Sequence, residues 1–184
     1  LVKPLGEAKT DETEIFWLGN KPISGCIGCG SCLKTGECFM QDKVNEFLEK
    51  VPKTDGFIFG SPVHFAAMSG MLSSFMDRVF YGRRKLFSNK LGSAVVSCRR
   101  GGATAALDEI NKYFGISNMS IVSSQYWYMV HGNNPEEVLK DEEGMQTMRT
   151  LGNNMAWLLK SIEAGKKAGI KLPENESIIS TNFI

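Results

Sequence analysis

The chain lacks an excess of charge of either sign. Its 184 residues include 21 Lys plus Arg and 20 Asp plus Glu, which leaves a formal net charge of +1. Proteins that bind nucleic acid or anionic membranes concentrate positive charge, so this balance predicts no nucleic-acid partner. With 42% hydrophobic residues the chain can bury a sizeable core, and residues 1–184 are expected to form a single domain.

Targeting segments and long apolar runs are also missing. The N-terminus shows no basic segment followed by an apolar stretch, as a secretory signal would. The uncharged stretch 56–76 has the length of a membrane span, but Pro62, His64, three Gly and four Ser make it too polar for lipid. We therefore expect a cytoplasmic protein with no membrane partner.

Cysteine is scarce outside one short segment. Four of the five cysteines lie between Cys26 and Cys38, and the fifth is Cys98. A secreted disulfide scaffold would spread its cysteines through a shorter, loop-rich chain. The clustering instead predicts a metal or redox site in a reducing compartment. Cys98 ends a predicted strand and is expected to be a buried, inert thiol.

Strands and helices alternate along the chain from residue 13 onward. This alternation predicts an α/β fold with a doubly wound parallel sheet, which binds ligands at the carboxyl ends of its strands. The Cys-rich loop 19–41 and the polar tail 173–184 lie outside the regular elements, and the tail is expected to fray or to make oligomer contacts. Asp42 and Asn134 are predicted N-caps, and Gly115 a C-cap. We predict strands at 13–18, 56–60, 91–98 and 120–127, and helices at 42–51, 68–81, 102–114 and 134–169.

The loop after the second predicted strand has a composition that suits contact with a planar ring. Its small residues let backbone N–H groups approach a planar ring, and its proline and aromatic side chains supply an apolar wall. An ordinary strand-to-helix loop explains the same composition equally well. The candidate binding residues here are Ser61, Pro62, Val63, His64, Phe65 and Met68.

Two further strand-end loops carry candidate binding residues. In the loop 98–103, Gly101 and Gly102 permit close backbone approach at a helix N-terminus, and Arg100 could stabilise an anionic reduced ring. A tight turn with solvated arginines is the simpler explanation of that loop alone. In the segment 125–132, Trp127 and His131 could flank a ring, although a lone histidine is more often structural.

Taken together, these loops resemble one family. The sequence SPVHFAAMSGMLSSFMDR at 61–78 is similar to the signature of the NAD(P)H-dependent FMN reductases of the flavodoxin superfamily, and RRGG and YW…VHG lie where members of that family have them. The resemblance covers residues 14 to about 165. It implies a flavodoxin-like five-stranded parallel sheet, FMN at its carboxyl edge, and homodimers or homotetramers whose neighbours help to enclose the flavin.

The same resemblance implies a reaction. Electrons from NAD(P)H or from a reduced ferredoxin would pass through FMN to an acceptor, because FMN accepts two electrons and releases them singly. This chemistry needs no acid or base from the protein, so no catalytic side chain is assigned. The substrate and the acceptor are not specified by any motif in the chain.

The four clustered cysteines follow the spacing C-x2-C-x2-C-x5-C. Such compact thiolate sets suit a 4Fe–4S cluster, and the loop resembles that of the iron–sulfur flavoproteins, a branch of the same family. Free thiols are an open alternative, and structural zinc is a weaker one because zinc more often uses two separated C-x2-C pairs. Since the loop follows a predicted strand at 13–18, it should lie on the same rim as the flavin. The predicted cluster ligands are Cys26, Cys29, Cys32 and Cys38.

One departure from the family concerns the first strand. Members begin with a strand and a Ser/Gly-rich turn that wraps the FMN phosphate on a helix N-terminus. No such segment precedes residue 13, and without a central strand the sheet would be left with unpaired edges. We expect that the whole protein has further residues before residue 1. The alternative is a redox- or metal-sensing module that is not an enzyme and has lost its phosphate site.

Overall fold

The central strand of the sheet is β3 (Leu91–Cys98), in a computed structural model that describes residues 13–183. β1 (Gly56–His64) runs parallel to one edge of β3, in a register that pairs residue 56 with 91 and residue 62 with 97. On its other edge β3 pairs in parallel with β4 (Ser120–Ile121) and β5 (Met129–His131). β2 (Ala67–Met68) folds back antiparallel onto the end of β1.

Helices cover both faces of this sheet, as a doubly wound fold requires. On one face lie α2, α3 and α4, and on the other lies α6. The predicted α/β class and its doubly wound arrangement are therefore confirmed. The helices are α1 (Ser31–Thr35), α2 (Lys43–Lys50), α3 (Gly70–Arg83), α4 (Ala103–Ile116), α5 (Pro135–Val138) and α6 (Glu142–Lys167), with short 3₁₀ turns at Val51–Lys53 and Arg84–Phe87.

The larger core layer is aromatic. Alternate residues of β1 turn Phe57 and Phe59 towards α2, α3 and α4, where they meet Phe47 at centroid distances of 5.9 and 6.0 Å. Phe80 and Phe87 stack at 4.5 Å between α3 and the following turn. On the opposite face Leu91, Val122, Leu151 and Met155 form a smaller aliphatic layer under α6. Part of the methionine series of α6 therefore fills the core, as its helical spacing predicts.

The strand predicted at 13–18 is wrong. These residues have no regular secondary structure, and no strand within 13–183 lies beside them to complete a backbone ladder. Their apolar side chains are used locally instead: Phe16 packs on Phe47 of α2 at 5.3 Å and on Phe75 of α3 at 6.4 Å. A β-prone segment without a partner strand leaves its N–H and C=O groups unpaired, so it does not form a strand.

Two predicted strands have different ends from those observed. β1 continues past residue 60, because Ser61 and Pro62 still pair with β3 and the chain then turns back on itself as β2. The strand predicted at 120–127 is split, because residues 123–127 leave the sheet towards α6, where Ser124 Oγ donates to the Thr147 carbonyl at 2.7 Å. The chain rejoins β3 at Tyr128, whose carbonyl accepts from Val96 N–H at 3.1 Å.

Helix boundaries were predicted with mixed success. Asp42 and Asn134 are N-caps as expected, accepting N–H groups at 3.0 and 2.9 Å. α4 continues through Gly115 to residue 116, and the left-handed residue that follows it is Asn118. The helix predicted at 134–169 is two helices, since the Asp141 carboxylate caps a new start by accepting from Gly144 N–H at 3.0 Å. Within 13–183, no helix combines the length and the apolar character needed to cross a bilayer.

Candidate functional site

Two of the predicted strand-end loops touch each other. The first is the hairpin 61–69, which joins β1 to α3, and the second is the loop 99–102, which joins β3 to α4; together they are called the strand-end rim below. Gly102, at φ 87°, is the N-cap of α4, and a Cβ there would lie 2.7 Å from Ala66 Cα and 3.2 Å from Val63 Cγ1. Only glycine permits this backbone-to-backbone approach. The rim is therefore assembled before any ligand arrives.

The tip of the hairpin holds an unusual backbone conformation. Phe65 and Ala66 have φ of 52° and 61°, a region that non-glycine residues seldom occupy, and together they make a tight turn between β1 and β2. The Phe65 side chain is fully exposed beside this turn. The turn is held against α4, because Met68 N–H donates to the Glu109 carboxylate of that helix at 2.8 Å. Strained, exposed positions of this kind concentrate at binding sites.

Not every predicted residue of the hairpin faces outward. Met68 lies in the core with 3% of its surface exposed, so its side chain does not reach the rim. The buried Ser61 hydroxyl is occupied within the hairpin, accepting from Ser69 N–H and donating to the Pro62 carbonyl, each at 2.8 Å. Pro62, His64 and Phe65 are the exposed members of the predicted set.

A cleft of about 360 Å³ opens beside the rim, between the start of α4, β5 and the start of α6. Of the predicted binding residues, Arg100, Gly102, Trp127 and His131 line it, whereas the hairpin residues do not. Its volume lies in the range of small-molecule sites, and its aromatic wall and the start of α4 suit a flat, electron-rich ring. The residues of this chain therefore fit a flavin ring. The cleft is also lined by Thr104, Tyr126, Met129, Asp141, Glu143 and Thr147, which the sequence analysis missed.

The floor of the cleft is fixed by Asp141 and Cys98. The Asp141 carboxylate accepts from His131 N–H at 2.7 Å, and Cys98 Sγ lies 3.4 Å from His131 Nδ1. Cys98 is buried, as predicted, and burial raises the pKa of its thiol above the ordinary value. The one sequence signal for Asp141 was its position three residues before Gly144 at a second helix start, which the predicted continuous helix concealed.

The cysteine loop, residues 26–38, lies along α3 and not on the strand-end rim. Cys32 packs on Gly82 in the last turn of α3, where an added Cβ would lie 2.8 Å from Cys32 Cβ. The rim lies at the other end of this helix, which starts at Gly70. The loop was expected on the strand-end rim because of a strand at 13–18; that strand does not form, and the loop packs along α3 instead.

All four predicted cluster ligands line one hollow of the cysteine loop. Cys26 and Cys29 are exposed, and Cys32 and Cys38 are half-buried. Burial, and then the neighbouring thiols led by Cys26, raise the pKa of the Cys32 thiol, because thiolates this close repel one another. Among residues 13–183 no three Cys, His, Asp or Glu side chains are drawn together tightly enough to hold a metal ion directly.

The hollow between the four cysteines is small. Its enclosed volume is about 20 Å³, room for about one water molecule. The donor set therefore fits a 4Fe–4S cluster in kind and in location, but the exposed arm of the loop has to move outward to admit one.

The sequence analysis missed Arg78, which lies beneath this hollow. Its side chain is 1% exposed and makes a bidentate pair with Asp42, at 2.6 and 2.9 Å, and two contacts with Cys38 Sγ, at 3.2 and 3.3 Å. Burial opposes its charge, but hydrogen bonds to Asp42 and Cys38 raise the pKa of the guanidinium above its ordinary value. Its one sequence signal is that it is the sole charged position on the buried side of α3.

Comparison with known proteins supplies the context for this geometry. The profile of the NADPH-dependent FMN reductases matches residues 3–134. An iron–sulfur flavoprotein of Methanocaldococcus jannaschii is 35% identical over 160 residues, which cover 83% of each chain. A second iron–sulfur flavoprotein of that organism is 29% identical over 167 residues, again covering 83% of each chain.

Solved structures agree on the fold. A WrbA-like flavodoxin of Agrobacterium tumefaciens superposes with a TM-score of 0.53 at 16% identity, over 63% of this chain and 73% of its own. The Trp repressor binding protein of Bacillus subtilis gives a TM-score of 0.53 at 18% identity, over 59% and 74%. At these identities the likeness concerns the fold alone.

The fold and the strand-end rim define a flavodoxin-like flavoprotein. Within that class the chain belongs to the NADPH-dependent FMN reductase family, with iron–sulfur flavoproteins among its relatives. It is therefore a flavin-dependent oxidoreductase whose cofactor is FMN.

Proposed function

We propose that this FMN-dependent oxidoreductase takes electrons from NAD(P)H or from a reduced ferredoxin and delivers them to an acceptor, with a 4Fe–4S cluster as its second redox group. The observation that carries the proposal is the convergence of Cys26, Cys29, Cys32 and Cys38 on one hollow above a buried guanidinium. When bound, FMN supplies the exchange between two-electron and one-electron transfer. The rim residues would hold the ring in the cleft and keep water from one of its faces.

The electrostatics of the hollow support the cluster. Burial and the neighbouring thiols raise the pKa of the Cys32 thiol, and a cationic iron centre would offset both effects and favour its thiolate. The half-buried pair, Cys32 and Cys38, is already anchored to α3, so half of the ligand set is in place before iron arrives. The relatives named iron–sulfur flavoproteins support the same assignment.

Anaerobic reconstitution tests the cluster. The full-length protein, treated with iron and sulfide under reducing conditions, should take up about four iron per chain. It should also show a low-temperature spin-resonance signal when reduced. Cys29→Ala should lose both the iron and the signal while retaining FMN. Full FMN content without iron, after careful reconstitution of the wild type, would overturn the cluster.

The electron donor is tested by anaerobic stopped-flow. NADPH, NADH and reduced ferredoxin are each mixed with the FMN-loaded protein, and bleaching of the flavin absorbance is followed. Rapid bleaching by one of them identifies the donor. If none reduces the flavin at a useful rate, the proposed donors are wrong.

We also propose that the protein works as a homodimer or homotetramer. Cys32 contacts α3 twelve residues after its first residue, which places this cysteine about 18 Å along the helix axis from the start of α3 beside the rim. A neighbouring subunit could bring its own rim closer to this loop. The tail 171–183 is exposed and carries Ile178, Ile179 and Phe183, which suit a subunit contact.

Subunit mixing tests this arrangement. A cluster-deficient Cys29→Ala subunit and a flavin-deficient Gly102→Val subunit are co-expressed with different tags and purified as a mixed oligomer. Electron transfer between cluster and flavin should reappear in the mixed oligomer and be absent from each parent. A monomer by analytical ultracentrifugation, or no recovery in a mixed oligomer, counts against the proposal.

A second candidate is a plain NAD(P)H-dependent FMN reductase with free thiols. The small volume of the hollow favours it, as does the spacing of the thiols, since no three potential ligands within 13–183 are close enough to hold a metal ion. The iron analysis above decides between the two. A non-enzymatic metal sensor is a different outcome of the same experiment: iron or zinc bound, with no reduction of flavin by any donor.

A further inference from the structure

Arg78 joins α3 to two other segments of the chain, residue 24 and residues 38–42, at one buried point. In addition to Asp42 and Cys38, its guanidinium donates to the Ser24 carbonyl at 3.3 Å and to the Met40 carbonyl at 3.1 Å. The side chain is essentially excluded from solvent, on the face of α3 that meets the cysteine loop. A buried guanidinium has to use its N–H groups within the protein, and here two of those contacts go to one sulfur atom.

The charge of Arg78 is balanced without the sulfur. Asp42 faces it in bidentate geometry and also caps α2 through Val44 N–H at 3.0 Å. The Nε–H group contacts only Cys38 Sγ, at 3.3 Å, whereas Nη2 is shared between Cys38, Asp42 and the Met40 carbonyl. Their geometry is that of donors directed at an electron-rich sulfur.

The main chain of Cys38 is held by a different side chain. Asn45 accepts from Cys38 N–H at 2.9 Å and donates to the Cys38 carbonyl at 2.7 Å, and it is itself buried. Orientation of the backbone and hydrogen bonding to the sulfur are thus divided between two residues. This division allows them to be separated by mutation.

We propose that Arg78 is a positioning residue for the iron–sulfur group: it fixes the Cys38 sulfur as the preset corner of the ligand set and donates hydrogen bonds to it when it ligates iron. The inference rests on the proposed cluster. Hydrogen bonds to ligand sulfur stabilise the more negative, reduced cluster and so raise its reduction potential. Cys26 and Cys29, on the exposed arm, have no comparable buried donor in the contacts of residues 13–183 and would close last.

The test compares reconstituted full-length variants by iron content, FMN content and cluster midpoint potential, the last from spin resonance in a redox titration. Arg78→Met should lower the midpoint potential and shorten the lifetime of the cluster in air several-fold, while FMN content stays near one per chain. Arg78→Lys, which retains the charge and one donor group, should recover part of the shift. It also serves as the measurable variant if Arg78→Met does not fold.

Two control variants separate hydrogen bonding from general disturbance. Arg83→Met alters an arginine of the same helix that lies against Gly36 of the same loop, but no contact of Arg83 with a cysteine sulfur is present. It should leave the potential unchanged. Asn45→Ala loosens the Cys38 main chain and should reduce iron retention with a smaller shift of potential than Arg78→Met.

The outcomes are distinguishable. A wild type that binds FMN but takes up no iron overturns the proposed cluster and this inference with it. A wild type that holds the cluster, with the same midpoint potential in Arg78→Met and Arg78→Lys, overturns only the role of Arg78. A shift in Asn45→Ala as large as that in Arg78→Met also overturns it, because anchoring and not hydrogen bonding would then set the potential.

Discussion

The strand-end rim and the cysteine loop are held together in different ways. The rim is fixed by a close backbone contact of Gly102 with Ala66 and by one hydrogen bond from Met68 N–H to the Glu109 carboxylate of α4. The cysteine loop is fixed by buried side chains of α2 and α3: Arg78 bonds to Cys38 Sγ and to the Ser24 carbonyl, and Asn45 holds the Cys38 main chain. The rim therefore depends on contacts between neighbouring loops at the strand ends, whereas the cysteine loop depends on contacts with buried side chains of two helices. We expect the rim to bind its cofactor with little rearrangement, and the cysteine loop to rearrange if a cluster is inserted.

The largest effect is expected at the anchored end of the cysteine loop. Asp42→Ala removes the partner of a buried guanidinium and the N-cap of α2, and should cost about 2–4 kcal/mol of unfolding free energy. Urea denaturation measures this. Glu46→Gln, which breaks an exposed ion pair with Lys43 in the same helix, is the matched control and should change stability by less than about 0.5 kcal/mol. Equal effects of the two variants would mean that the buried pair does not anchor the loop.

A substitution in the rim should weaken FMN binding and leave the cysteine loop unaffected. Gly102→Ala places a Cβ 2.7 Å from Ala66 Cα at a residue with φ 87°, and should cost about 1–3 kcal/mol and at least tenfold in FMN affinity. Flavin fluorescence titration measures the affinity. Gly101→Ala is the control, since a Cβ there meets no atom within 4 Å. Cluster content should be the same in both variants, and parallel loss of iron would show that rim and loop are not independent.

A substitution in α3 should affect the loop without affecting the rim. Gly82→Ala would bring its Cβ into overlap with Cys32 Sγ, so the loop has to move, although alanine itself favours the helix. We expect a net stability change of about 1 kcal/mol or less, unchanged FMN binding and clearly reduced iron retention. Gly70→Ala, on the same helix with no atom within 4 Å, should leave iron content at the wild-type level. Full iron retention in Gly82→Ala would mean that the contact between Cys32 and α3 does not hold Cys32 in position as a ligand.

The smallest effect on the rim and on the cysteine loop is expected from a contact between α3 and α4. Tyr113 donates to Asp77 at 2.5 Å, and burial, followed by that bond, raises the pKa of the tyrosine. Its contribution to stability is thus complete below the unfolded pKa of about 10 and declines as pH rises above it. Tyr113→Phe should cost about 1 kcal/mol near neutral pH and flatten that alkaline decline. Thermal melts from pH 8 to 11 measure both, and an unchanged slope would contradict the assignment.

Short-range patterns predicted most of the elements correctly. β3 was predicted with its observed ends, because eight residues free of charge in a parallel sheet leave little choice of structure. The caps at Asp42 and Asn134 were also found, since a side chain and an N–H two or three residues away decide them. Predictions failed where a distant partner decides the outcome. Residues 13–18 have strand composition but no partner strand in the part of the chain that the structure describes, and residues 123–127 leave the sheet for α6.

The candidate site shows the same contrast between features set by neighbouring residues and features set by distant ones. The sequence by itself determined the kinds of group available: four thiols at close spacing, glycines after a strand, and aromatic residues after the next one. Tertiary structure alone decided which of them meet. It placed the cysteine loop along α3 rather than on the rim, closed the hairpin on Gly102, and put Arg78 under Cys38 from forty residues away. The physical reason is that spacing constrains neighbours in the chain, whereas contacts between distant segments depend on how the helices pack on the sheet.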